Sequence, residues 1–153
     1  MNRVIVLDSG PLGALANPKA TETSRAAQAW LRARVTDDDI IVIPEITDYE
    51  VRRELLRAGF HQSVKQLDSL RVFLNVVPID GEQLQEAASL WAEARNLGRP
   101  AKSDHGLDAD MILIAQSRAA AALYGNGNGT IIATTNTKHL DLFTDAREWQ
   151  LIT

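Results

Sequence analysis

The chain has 153 residues, 45% of them hydrophobic and 24% charged, with 16 Lys+Arg against 20 Asp+Glu for a net charge of -4. That length predicts a single domain over 1–153, and the apolar fraction with the low net charge excludes a disordered chain. Cysteine is absent, which excludes a disulfide framework, a thiol nucleophile and any Cys-ligated zinc or iron–sulfur site.

Chain order reads as short apolar strands alternating with helices. Val4 to Leu7 form a β-branched run that predicts a buried strand, ending at Asp8-Ser9-Gly10-Pro11. Pro11 suits the first position of a helix carrying Leu12, Leu15 and Ala16, and Asn17-Pro18 ends it. Thr21 or Thr23 caps a second helix with Ala26, Ala27, Trp30 and Leu31 at helical spacing. Asp37-Asp38-Asp39 reads as an acidic turn, and residues 40–43 as a second strand stopped by Pro44. The next helix places Ile46, Tyr49 and Leu56 on one face, with Val51 and Leu55 on another and Gly59 as its stop. A further helix bears Val64, Leu67, Leu70, Phe73 and Leu74.

Residues 75–79 read as a third strand. Asp80-Gly81 then turns into a long amphipathic helix with Leu84, Ala87, Ala88, Trp91, Ala94 and Leu97. Residues 98–106 form a polar loop. Residues 107–123 make a helix apolar nearly all round, the mark of a central, buried one. A Gly/Asn turn leads to a fourth strand over 130–134, a helical turn at 139–143 and a short last strand at 149–152. Such alternation predicts an α/β fold: a three-layer α/β/α sandwich with a mostly parallel central sheet.

Ligands collect at the carboxyl ends of strands in such a sheet. Asp8 ends the first strand there, and is also placed to cap the helix that follows. Asp110 stands directly before the apolar run Met111 to Ala115, where a carboxylate is costly without a cation or a donor. Asp108 lies roughly 200° away around the helix, which suits a cap or a support behind the ligands. Glu50 borders the stripe of Ile46 and Tyr49, while Asp48 and Glu54 pair with neighbouring arginines. With no cysteine and only three His, a metal here would be held by oxygen, which favours Mg²⁺ or Mn²⁺. Converging carboxylates with such an ion suit metal-assisted phosphodiester hydrolysis. That would reconcile an acidic chain with an RNA substrate, although its balance of charge speaks against a simple electrostatic nucleic-acid binder. A phosphatase of D-x-D kind is disfavoured because Gly10 stands where its second Asp belongs.

Four segments together resemble the PIN-domain ribonucleases, in particular the VapC-type toxins of toxin–antitoxin pairs. They are Val4-Ile5-Val6-Leu7-Asp8-Ser9-Gly10-Pro11-Leu12; Ile43 to Leu55 around Tyr49-Glu50; Leu107-Asp108-Ala109-Asp110-Met111-Ile112-Leu113-Ile114-Ala115; and Ala133-Thr134-Thr135-Asn136-Thr137-Lys138-His139-Leu140. The resemblance implies that Asp8, Glu50 and Asp110 are the family's acids. Mg²⁺ or Mn²⁺ would be bound chiefly by Asp8 and Asp110 with Glu50 assisting, and Asn136 would have a positioning role. A fourth carboxylate is missing, with Asn136 in one candidate place and His139 in the other; Asp141 is a substitute. The resemblance further implies an endoribonuclease toxin in the cytoplasm, an antitoxin partner, an RNA substrate and a homodimer. The helical pair around residues 51–73 is a candidate interface, and Arg52, Arg53, Arg57 and Lys65 are candidate guides for RNA phosphates. The alternative is a PIN-like module that binds RNA or protein without cleaving. The N-terminus predicts no targeting signal, and no stretch is apolar enough to cross a membrane.

Overall fold

The computed structural model describes residues 2–98 and 106–153 in full, and residues 104–105 by their backbone. The first part of the chain runs β1 (Val4–Leu7), α1 (Ser9–Ala16), α2 (Glu22–Thr36), β2 (Ile40–Pro44), α3 (Glu45–Arg57), α4 (His61–Phe73) and β3 (Asn75–Val77). It continues with α5 (Gly81–Asn96), α6 (Asp104–Tyr124), β4 (Thr130–Thr134), β5 (Ala146–Glu148) and a 3₁₀ turn at Trp149–Leu151. The strands form one sheet in the order β3-β2-β1-β4-β5, and every pair is parallel.

Both faces of the sheet are covered, which is why its strands read as continuous apolar runs. Val4, Val6, Val42 and Ile132 point to one face, under α5 and α6. Ile5, Leu7, Ile41, Ile43, Ile131 and Ala133 point to the other, under α1, α2 and α4. Helix α3 serves both cores, with Ile46 in the first and Val51 in the second. The architecture is the three-layer α/β/α sandwich.

Several boundaries differ from the sequence reading, each for a physical reason. Helix α1 starts at Ser9, because Asp8 caps it. Asp39 is no mere turn residue. Its carboxylate, fully buried, accepts from Arg3 Nε (3.1 Å) and Nη2 (2.7 Å) and lies 3.3 Å from Arg34 Nη1. Burial alone would raise the Asp39 pKa, but the Arg3 side-chain and backbone donors outweigh it and hold the carboxyl below its ordinary value. On α3 the buried positions are Ile46, Thr47, Asp48 and Val51, while Tyr49 and Leu56 face solvent. The helix is gripped by α1, α4 and α6, so its most apolar stripe is not its packed one. On α5 Leu84 is exposed, as is Leu97 directly after the helix, and Gln83, Ala87, Leu90 and Ala94 are buried. The final strand lies at Ala146–Glu148, and a 3₁₀ turn follows at Trp149–Leu151 where a strand was predicted. Trp149 at its start and Ile152 directly after it are both buried and three apart, which is the 3₁₀ period. Trp30 fastens that turn: its ring stands edge-on to Trp149 at 5.8 Å, and its Nε1 donates to Ile152 O at 3.0 Å. Part of the predicted loop at 98–106 lies outside the described residues.

Candidate active site

The strand order reverses beside β1. The chain builds outward from β1 through β2 to β3, then returns to place β4 on the other flank of β1. Ligand crevices form at such a switch point, outside the carboxyl ends of the two strands. Asp8 follows β1 there, and Thr134 ends β4.

These two residues are joined. Thr134 Oγ1 donates to Asp8 Oδ2 at 2.7 Å, and accepts from Asn136 N at 3.1 Å. The other oxygen, Asp8 Oδ1, accepts from Ser9 N at 2.7 Å at the start of α1. The Asp8 amide itself donates to Ala133 O at 2.9 Å, which extends the β1–β4 ladder up to the carboxylate. Asp8 is therefore both the cap the sequence allowed and a side chain fixed on both oxygens. Each carboxylate oxygen retains a lone pair, so neither is closed to a further ligand.

Gly10 belongs to this arrangement. A Cβ there would stand 2.5 Å from Thr135 Cγ2 and 2.8 Å from Thr135 Oγ1. The absence of a side chain lets the first turn of α1 sit against the loop after β4. Within that loop Asn136 Oδ1 accepts from Lys138 N at 3.1 Å. Asn136 thus reaches Asp8 through its backbone N–H and Thr134, while its side-chain oxygen holds a turn.

Glu50 lies one helical turn beyond Ile46 on α3. Half-buried Glu50 and buried Asp110 are both engaged by other groups of the chain. Asp108 is exposed, as its angle to Asp110 predicts. The residue that relates α3 to α6 is one the sequence reading passed over. Gln116, fully buried, accepts the Ile46 N–H at 2.9 Å and donates to Val77 O at 2.7 Å. One amide therefore ties α6 to the first turn of α3 and to the end of β3. Asp110 lies six residues earlier, about 9 Å nearer the start of α6. Because α6 leads into β4 it runs against the strands, and this displacement carries Asp110 toward the carboxyl edge. The available signal was a lone amide inside an apolar helical run, which must find partners when buried.

Among the described residues, no three His, Cys, Asp or Glu side chains lie close enough together to hold a metal ion. Asp104 and His105 are outside that description. The donors that reach the edge are hard oxygens, the kind that Mg²⁺ and Mn²⁺ take.

The neighbouring arginines are mostly occupied. Arg52 is paired with Asp48 (2.9 Å) and Asp68 (2.8 Å), and Arg71 lies 3.4 Å from Asp48. The Asp48 hydrogen bond, opposed by burial and aided by Asp68, raises the Arg52 pKa. Arg57 is paired with Glu54 at 2.9 Å. Arg53 lies over the Tyr49 ring, 5.2 Å from its centroid. Asp48 and Glu54 thus pair as expected, and Arg52 and Arg57 are committed within the protein.

The sequence profile of the PIN domain matches residues 5–141. The chain belongs to the PIN domain family. Among solved structures, a chain of the Rickettsia felis VapBC2 complex bound to a DNA fragment from its promoter is similar. Its TM-score is 0.68 at 14% identity, over 94% of this chain and 97% of that one. A chain of VapBC-1 from nontypeable Haemophilus influenzae is similar with a TM-score of 0.61 at 17% identity, over 95% and 98% of the two chains. At these identities the likeness is one of fold, and it spans nearly the whole PIN chain. No curated protein sequence matches. No described helix is long and apolar enough to cross a membrane.

Proposed function

We propose that this PIN protein is a VapC-type toxin: an Mg²⁺- or Mn²⁺-dependent endoribonuclease restrained by an antitoxin. The observation that carries the reading is Asp8, held by Thr134 at 2.7 Å at the switch point of a parallel PIN sheet. The likeness to chains of two VapBC structures supports the toxin reading.

A divalent ion bound at this edge would supply positive charge to the phosphate and a more acidic water. Asp8 and Asp110 are the proposed ligands. Glu50 supports them or orients the attacking water, and Asp108 stands behind. Thr134 keeps the Asp8 carboxylate from turning away, and Asn136 keeps the Thr134 hydroxyl in place. We further place the protein in the cytoplasm, with RNA as substrate. The exposed Val72 and Phe73 at the end of α4 support a homodimer formed at that end of the 51–73 helical pair.

Purified protein incubated with mixed RNAs tests this, with Mg²⁺, with Mn²⁺ and with EDTA. Asp8→Asn and Asp110→Asn are each expected to lose about 100-fold or more in cleavage, because several kcal/mol of charge stabilisation is at stake. The second reading, a binding module, is favoured by Asn136. It carries no charge where the fourth acid would be, and its side-chain oxygen already accepts from the Lys138 N–H. RNA retention without cleavage under every metal condition would replace the nuclease reading with that one.

A further inference from the structure

Beside the carboxylates, the structure holds an aromatic ring that the proposed reaction does not use. Tyr49 is 55% exposed although Ile46, Thr47 and Asp48 before it are buried. It borders a groove of ≈ 480 Å³ lined by Glu45, Asp48, Tyr49, Arg52, Arg71 and Ile79. Glu45 directly follows β2 and Ile79 lies just beyond β3, so the groove opens at the same carboxyl edge as Asp8. Strands stand about 4.8 Å apart. The groove therefore begins roughly 5–10 Å to one side of the end of β1, about where a nucleotide next to a phosphate at Asp8 would lie.

We infer that this groove is a base-binding subsite for single-stranded RNA, with Tyr49 as its stacking platform. The inference rests on the nuclease reading above. Three features select a base over a phosphate. First, the charges on the floor cancel: Asp48 pairs with Arg52 and Arg71, and Arg52 is further tied to Asp68. A neutralised floor offers no pull for an anion. Second, the polar groups are mixed. Arg71, about one-third exposed, meets only Asp48 among the described acids and keeps donors to spare. Glu45 gives one oxygen to the Ile79 N–H at a long 3.4 Å and offers the other as an acceptor. A base edge carries both donors and acceptors, and a phosphate carries acceptors alone. Third, the ring is held ready. The Arg53 guanidinium lies over one face, 5.2 Å from the ring centroid, which fixes the ring's orientation, and Tyr49 as a whole is still 55% exposed. Unstacked bases bind aromatic faces in this way, whereas duplex RNA keeps its bases covered.

The test is fluorescence anisotropy with a labelled single-stranded oligoribonucleotide, in the full chain carrying Asp110→Asn to prevent cleavage. Tyr49→Ala is expected to weaken binding about tenfold, equal to about 1.4 kcal/mol. Tyr49→Phe and Tyr49→Trp keep the ring and should stay within about twofold. A blunt RNA duplex should bind Tyr49→Ala as it binds the parent. Circular dichroism should be unchanged, because the ring is on the surface. In the cleaving protein, Tyr49→Ala should raise KM more than it lowers kcat. Equal single-strand affinity for Tyr49→Ala and its parent overturns the subsite. So does an equal loss in the Phe and Trp variants, or a change of oligomeric state by light scattering, which would make Tyr49 a subunit contact. The two levels of inference fail differently. A wild-type chain that neither binds nor cleaves RNA refutes the nuclease reading and this subsite with it. A wild-type chain that cleaves, with Tyr49→Ala indistinguishable from it, refutes the subsite alone.

Discussion

Gln116→Met is the most informative single change in the core. Methionine is near glutamine in length and apolar, so it fills the same space and removes both hydrogen bonds. What remains is a buried Ile46 N–H and a buried Val77 carbonyl, each having lost its partner at 2.9 and 2.7 Å. Leaving a buried polar group unsatisfied costs about 1–3 kcal/mol. Two such groups come to about 2–6 kcal/mol, and the easier burial of a thioether offsets part of it. A net loss of about 2–4 kcal/mol follows, a large share of the stability of a domain this size. Urea unfolding followed by circular dichroism measures it, and the slope should be unchanged because the same surface is exposed. A second variant sharpens the reasoning. Gln116→Glu can both accept and donate only while protonated, and burial raises the pKa of such a carboxyl. Its folded-state pKa then exceeds the unfolded one of about 4.3. The variant should match wild type best below about pH 4 and lose ground as pH rises from there. If Gln116→Met costs less than about 1 kcal/mol, or Gln116→Glu does not improve on acidification, the amide does not bridge the three elements as described.

Other predictions concern the site and the opposite end of the sheet. Thr134→Val removes the donor to Asp8 Oδ2 from a residue 1% exposed. It should cost about 2 kcal/mol in urea unfolding and lower RNA cleavage with it. Gly10→Ala should displace the loop after β4, because its Cβ meets the Thr135 side chain at 2.5 Å. Cleavage should fall about tenfold while thermal stability hardly changes, since Thr135 is exposed. Thr135→Gly in the same chain should restore it, and failure of that rescue would point away from this contact. Asp39→Asn should cost about 3 kcal/mol, because it breaks a buried group of charges in which Arg34 still keeps Asp37 at 2.9 Å. The folded pKa of Asp39 is depressed, so its contribution is fully present above about pH 4 and is lost as pH falls through that lower value. Acid unfolding of the two proteins should therefore converge only at low pH.

The strands were legible in the sequence because burial on both faces leaves an unbroken apolar run, as in Val4 to Leu7. Helix faces were harder to read. Tyr49, Leu56 and Leu84 carry strong apolar signals yet point to solvent, while Asp48 and Gln83 are buried. Periodicity weighs polarity, but packing is decided by which neighbour each face meets. For the site, Asp8 was visible as a carboxylate at a strand end. Its tie to Thr134 spans 126 positions of sequence, and no local pattern encodes that closure. Gln116 went unread for a related reason: its two partners are backbone groups, which have no letter of their own. Asp39 was visible as an acid in a turn, but its partner Arg3 lies 36 positions away.

The place of β1 in the sheet also sets how the edge opens. This strand has a neighbour on each side, and all four of its side chains are at 0% exposure. Its amides should exchange with solvent deuterium only when the whole domain unfolds. The Asp8 amide is the last rung of that ladder, so one wall of the crevice is as durable as the protein itself. The facing wall is made of Thr135 and Asn136, exposed loop residues whose contacts can break one at a time. The β4 side is therefore the wall that can move, and a ligand that bridged both walls would slow exchange there first.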